Sequence, residues 1–192
     1  MNKVIYSMGL SLDGYIAGPG GEIALVPDEE LHRFHNQQAR EIGAHLYGRR
    51  LWEVMSVWDT YADENRSAPE YELEFAHIWQ AAPKFVFSRT LDEVEGNATL
   101  VKEDIPQTVA RLKREADGDL AVGGADLAST FMELGLIDEY QPVVHPVVLG
   151  GGTPFFPPRD ESVELRLVET RTFGSGAVYL RYEDSSARMS AI

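Results

Sequence analysis

Leu120-Ala121-Val122-Gly123-Gly124-Ala125-Asp126-Leu127 runs from an apolar stretch through two glycines into a helical pattern, with Leu127, Phe131 and Leu134 spaced for one face. A strand, a tight Gly-Gly turn and a helix together present free backbone N–H groups at a helix N-terminus, where the dipole favours an anion. Glycines at such a turn let a phosphate approach the backbone with no Cβ in the way. The same turn also occurs in proteins with no ligand, so the stretch decides local architecture before it decides function. Two further stretches, Tyr47-Gly48-Arg49-Arg50 and Phe87-Ser88-Arg89-Thr90, each set an arginine just past an apolar run. In an α/β sheet that is where the ligand crevice forms.

On the N-terminal side, residues 4–10 read as a buried strand, followed by residues 11–17 and the turn Gly18-Pro19-Gly20-Gly21. That turn serves equally as a plain surface turn or as a flap over a site. Asp28 is placed as an N-cap, with Glu29 and Glu30 in the first turn of a helix whose apolar face carries Leu31, Phe34 and Ile42. Residues 44–47 then read as a short strand ending at Gly48, and residues 49–55 as a second helix. The acidic, tyrosine-rich residues 58–74 read as a solvated connection, with a helical piece ending near Trp79.

Strands are expected at residues 84–87 and 99–101, then a helix capped by Asp104 with Ile105, Val109 and Leu112 on one face and Pro106 in its first turn. Residues 140–149 are apolar but interrupted by Pro142 and Pro146, which predicts a bend or a sheet edge. Residues 150–154 form a long turn. Residues 165–169 and 177–182 alternate around Gly174-Ser175-Gly176 as a closing hairpin. Strands alternating with helices, then a strand-rich end, imply a single α/β domain over residues 1–184, with a mainly parallel sheet and antiparallel C-terminal strands. Residues 185–192 are expected to be a loose tail.

Composition narrows the class of function. The chain has 192 residues and a formal net charge of −14, which argues against nucleic acid or an anionic membrane surface as partner. No apolar run approaches the roughly 20 residues of a membrane span, and no leader segment is visible. The absence of cysteine rules out disulfides and thiol catalysis and fits a cytoplasmic setting. His32 and His35 stand three apart with no supporting cysteine, so no metal is expected.

Five segments carry a resemblance in family order: Ser11-Leu12-Asp13-Gly14-Tyr15-Ile16-Ala17, Tyr47-Gly48-Arg49-Arg50-Leu51-Trp52-Glu53, Phe87-Ser88-Arg89, Val122-Gly123-Gly124-Ala125 and Leu149-Gly150-Gly151-Gly152-Thr153-Pro154-Phe155-Phe156. The chain resembles the dihydrofolate reductase superfamily, in the branch of the reductase domain of the bifunctional riboflavin-biosynthesis deaminase-reductase. The resemblance implies an NADPH-dependent reductase with a central mixed sheet flanked by helices, and by family analogy a homodimer. It also implies roles. Gly48 and Arg49 match the turn that meets the cofactor phosphates, with Arg50 next to it. Ser88 and Arg89 match the segment beside the adenosine ribose, where a 2′-phosphate sits. Gly123, Gly124 and Ala125 match the pyrophosphate turn, and Ile16 and Ala17 the wall of the nicotinamide pocket.

For the substrate, aligning Leu31 and Phe34 with the first helix of dihydrofolate reductases puts Glu30 at the acid position, as a substrate-binding or proton-donating group. Asp13 is a second catalytic candidate, and beside Gly14 it is also a turn former. The arginine that binds the glutamate tail of folate has no counterpart in Gln80-Ala81-Ala82-Pro83-Lys84. Lys84 is no equal substitute for a bidentate carboxylate contact. A small pterin, pyrimidine or other heterocycle is therefore expected ahead of dihydrofolate. The sequence contains no match to the deaminase partner of the riboflavin enzymes, which counts against that assignment. The competing reading is a nucleotide-binding or regulatory module that keeps the cleft without turnover.

Overall fold

The computed structural model describes residues 1–22, 25–102, 104–158 and 162–185. Of the expected tail, residues 185–192, only Ser185 is among them, and its N–H donates to Glu164 O at 3.0 Å. In chain order β1 (Val4–Ser11) and a short β2 (Tyr15–Ala17) precede helix α1 (Glu29–Glu41), β3 (Ile42–Gly48) and α2 (Arg49–Met55). A 3-10 turn at Ser56–Asp59 leads to α3 (Tyr61–Glu64), α4 (Glu70–Ala81), β4 (Lys84–Phe87) and β5 (Ala98–Val101). Then come α5 (Ile105–Glu115), β6 (Asp119–Gly123), α6 (Ala125–Glu133), β7 (Glu139–His145) and β8 (Thr153–Pro154). The described chain closes with the hairpin β9 (Leu165–Thr172) and β10 (Val178–Asp184).

Eight of these strands form one sheet in the order β5-β4-β3-β6-β1-β7-β10-β9, and β2 pairs with β8 in a separate two-stranded sheet. Strands β5 through β7 are parallel, and β10 and β9 join antiparallel. This is the mixed, mainly parallel α/β architecture that the alternation of elements predicts. Local chemistry explains the helix starts. Asp28 accepts the N–H of Leu31 at 3.0 Å, and Asp104 accepts that of Gln107 at 3.0 Å ahead of Pro106.

Parallel strands covered on both faces bury alternate residues on each side. Leu46, Leu120 and Val122 face α5 and α6, whose Val109, Leu112, Leu127 and Phe131 complete that layer. Tyr47 and Val86 face the other way, against Trp52 and Trp79. Under α1, Leu31 packs on Val143, Phe173 and Tyr179. Each such side chain contributes about 1.5–3 kcal/mol by burial.

Four local expectations change. Ile42 opens β3 rather than closing the face of α1, because the helix ends at Glu41. Residues 58–74 hold α3 and the start of α4 rather than a solvated connection, because Asn36 inside α1 donates to Tyr71 O and to Glu74 and draws α4 onto α1. Leu134 leaves the buried face of α6 and is 46% exposed, since the helix has ended at Glu133. Of the bend or edge expected for residues 140–149, the bend falls at Pro146 just past β7, but Pro142 lies inside that strand, between β1 and β10. Pro142 is the register partner of Met8 on β1, while the ladder to β10 has its partners at Val144, Val143, Tyr140 and Glu139 and passes Pro142 by.

Candidate functional site

At the C-terminal ends of β3 and β4 the chain leaves a cleft of about 640 Å³ between the sheet edge, α5 and α6. The volume suits a sizeable small-molecule ligand. Gly48, Arg49, Ser88 and Arg89 all line it, so two arginine stretches far apart in sequence meet in one place. The reason is the strand order: β3 and β4 are parallel neighbours, with Gly48 opposite Phe87, so the residues just past each strand emerge on the same side.

Arg49 is held by Glu53 at 2.7 Å and by the hydroxyl of Thr90 at 3.1 Å, which fixes its guanidinium against the loop after β4. In that loop the Ser88 hydroxyl oxygen accepts the N–H groups of Thr90 and Leu91, both at 3.2 Å. The turn so formed carries Arg89, which has no carboxylate partner among the described residues. Arg50 reaches Asp126 of α6 at 3.5 Å, and both side chains are more than 80% exposed, so that ion pair is weak.

Gly124 caps α6 at φ +91° and supplies no side chain to the first-turn N–H groups. A side-chain Cβ is strained at that φ, and those amides stay available to a ligand. Gly123, Gly124 and Ala125 thus stand at the head of the helix whose Asp126, Leu127 and Thr130 line the cleft. Lys102, just after β5, also lines it, as does Asp104. Sequence reasoning missed Lys102, although the signal was present: it succeeds its strand as Arg49 and Ser88-Arg89 succeed theirs. In a chain of net charge −14, the cleft gathers Arg49, Arg89 and Lys102 against Asp104 and Asp126.

The other expected site residues lie elsewhere along the same sheet edge. Ile16 and Ala17 on β2 are buried in the core cluster that includes Tyr6 and Phe155, whose rings stack at 4.3 Å. Asp13 accepts the N–H groups of Leu149 at 3.0 Å and Gly150 at 2.7 Å. The hydroxyl of Ser11 first, and then those amides, hold its carboxyl below the usual carboxylate range. Glu30, in the first turn of α1, accepts the N–H of Gly174 at 2.9 Å and faces Arg171 at 3.8 Å, so its carboxylate tethers the tip of the β9–β10 hairpin.

A polar cluster that the sequence did not single out lies between α1 and β7. His145 ends β7 opposite Ser11 of β1, and its imidazole crosses the face of Gly9. Burial lowers its pKa, and the nearby Asp28 carboxylate acts in the opposite sense. His35 of α1 is pushed down to about 4 by burial, against the opposing hydrogen bond it makes with Gln38. Among the described residues no helix is long and apolar enough to cross a membrane.

The RibD C-terminal domain model matches residues 2–179. The uncharacterized protein YyaP of Bacillus subtilis is 36% identical over 184 residues, spanning 94% of each chain. Among solved structures, a candidate riboflavin biosynthesis protein of Shewanella superposes with a TM-score of 0.75 at 24% identity, over 95% of this chain and 99% of that one. Dihydrofolate reductase of Enterococcus faecalis complexed with NADP(H) superposes with a TM-score of 0.63 at 15% identity, over 95% and 96%.

Proposed function

This chain belongs to the RibD C-terminal domain family, and from that premise we propose that it is an NADPH-dependent reductase of a small pterin- or pyrimidine-like heterocycle. The observation that carries the reading is the cleft. An acidic protein concentrates Arg49, Arg89 and Lys102 beside an α6 N-terminus with no side-chain cap. That set fits a phosphate-bearing dinucleotide, because cations and backbone amides are the two groups that replace water around phosphate. The family is one of reductases, and the fold is that of dihydrofolate reductase.

In this reading the amides after Gly123 and Gly124 hold the pyrophosphate, with Arg49 and Arg50 beside it. Arg89, oriented by the Ser88 turn, holds the 2′-phosphate. When bound, the nicotinamide supplies a hydride. The chain has little covalent chemistry to perform and works by positioning and by excluding water. Ile16 and Ala17 wall the nicotinamide end. Asp13 and Glu30, each already holding backbone amides, belong to the rim and position the loops around the substrate. The exposed edge strand β9 offers a pairing surface for a homodimer, and the reaction belongs in the cytoplasm.

Titration of the protein with NADPH and with NADH tests the first half of the reading, and NADPH oxidation across pterins and pyrimidines the second. Tight NADPH binding with turnover of one heterocycle class is expected. NADPH binding with no oxidation across the panel would favour the non-catalytic module, and failure to bind either dinucleotide would remove the proposal.

A further inference from the structure

We propose that His145 is the proton donor to the substrate. The inference rests on the reductase reading above and extends it to the substrate end of the site. Sheet order supplies the first argument. The phosphate-binding stretches lie just past β4, β3 and β6, and the next strand in the sheet is β1, then β7. A ligand lying along this edge from β4 crosses three strand spacings, roughly 14 Å, before it reaches β1. The reacting end therefore falls at the C-terminal end of β1, where Ser11 is the register partner of His145.

The second argument is local. A Cβ built on Gly9 would stand 3.2 Å from His145 Nε2 and 3.9 Å from Leu25 Cβ. The imidazole thus lies across β1 at the one position where the strand has no side chain, and it is only partly buried. Among the described residues no hydrogen-bond partner holds either ring nitrogen, and the residue as a whole is only part-buried. A part-buried donor at a strand end, without a partner among the described residues, is available to a ligand. Among the described residues, the charged or titratable groups that act on it are Asp28 at the cap of α1 and His35 about two turns further along that helix. Asp28 keeps its cap to Leu31 while it attracts the imidazolium.

Hydride from the reduced nicotinamide forms a C–H bond at the electrophilic carbon of a C=N group. The π pair moves to nitrogen, which takes the proton from His145 Nε2. The nicotinamide is oxidised, the heterocycle is reduced, and the neutral imidazole regains its proton from water. The imidazolium is the active form, so hydride transfer slows as pH rises through the titration of His145.

Three variants test this: His145→Gln, Asp28→Asn and Gly9→Ala. In wild type, imidazole NMR should show the His145 midpoint moving when 5,6-diaminouracil or 7,8-dihydrobiopterin is added. Asp28→Asn keeps a helix cap and should lower that midpoint. His145→Gln should slow single-turnover hydride transfer at pH 6 by at least about 10²-fold and flatten its pH profile. Gly9→Ala crowds the ring and should weaken the pH dependence even where the protein stays folded. NADPH affinity should be unchanged in all three, which separates this proposal from the cofactor reading. A His145→Gln enzyme with the wild-type pH profile, or a His145 midpoint indifferent to both probes, would overturn it.

Discussion

Asp13 Oδ2 accepts the backbone N–H of Gly150 at 2.7 Å, joining two loops that lie 137 residues apart in the chain. Through this contact the β1–β2 turn holds the 149–152 loop, and Gly152 then passes under β2. A Cβ on Gly152, at φ +124°, would stand 2.0 Å from Ala17 O. Asp13→Ala removes the acceptor of both amides and should speed their exchange, at Leu149 and Gly150, by roughly tenfold. Hydrogen exchange read by mass spectrometry gives the answer. Asp13→Asn should lie between, because one carbonyl oxygen remains. The carboxyl is held below its ordinary range, so its contribution is present above that range and fades as pH falls through the lowered value. Gly152→Ala should cost at least about 2 kcal/mol in urea unfolding, from strain and overlap together.

Arg89 should discriminate between the two dinucleotides. A charge-assisted contact to a 2′-phosphate is worth about 1.5–3 kcal/mol, or roughly 10- to 150-fold in affinity. Arg89→Ala should weaken NADPH binding by that factor and leave NADH nearly unchanged, as titration calorimetry would record. Equal losses for both would move Arg89 to the pyrophosphate, and no loss for either would return it to the solvated surface.

Glu30 should behave as an anchor of the hairpin tip. In Glu30→Gln the side-chain oxygen still accepts the Gly174 N–H, and only the exposed attraction to Arg171 is lost. Exposed pairs contribute about 1 kcal/mol or less, so turnover should change by no more than roughly fivefold. Glu30→Ala, which frees Gly174, should do more. A drop of about 10²-fold in kcat for Glu30→Gln at unchanged Tm would give the proton-donating role to Glu30 instead.

His45 and His35 should dominate the acid limb of stability. Burial pushes both imidazoles down to about 4, with the Lys84 charge adding to the effect at His45 and the Gln38 hydrogen bond opposing it at His35. His45 is 8% exposed, stacks on Tyr47 and leaves Nε2 without a partner, so it folds as the neutral ring. Below about pH 6.5 the unfolded chain binds protons that the folded chain refuses. Stability should fall between pH 6.5 and 4, by about 3 kcal/mol per imidazole. Urea unfolding across that range should show an uptake approaching two protons, and His45→Phe should remove one. An unchanged slope in His45→Phe would show that His45 does not carry this linkage.

Much of the fold was legible because its causes are local. Asp28 and Asp104 cap their helices within three residues of the amides they accept. The turn around Gly174-Ser175-Gly176 closes where the alternation of residues 165–182 breaks, with Phe173 and Ala177 paired across it. The arginines after β3 and β4 were readable for the same reason: Arg49 and Arg89 stand within two residues of the end of their own strands.

By itself the sequence determined the strand–glycine–helix units, their caps and the position of cations at strand ends, since those depend on a few neighbouring residues. It could not determine which strand ends meet. Only the tertiary order β5-β4-β3-β6-β1-β7 brings Arg49, Arg89 and Lys102 into one cleft and lays His145 across Gly9. The same holds for β2 pairing with β8, for Pro142 inside a central strand, and for Leu134 at the cleft rim. Each depends on a partner far along the chain, and the free energy that selects it comes from burial and hydrogen bonding between segments that no local window contains.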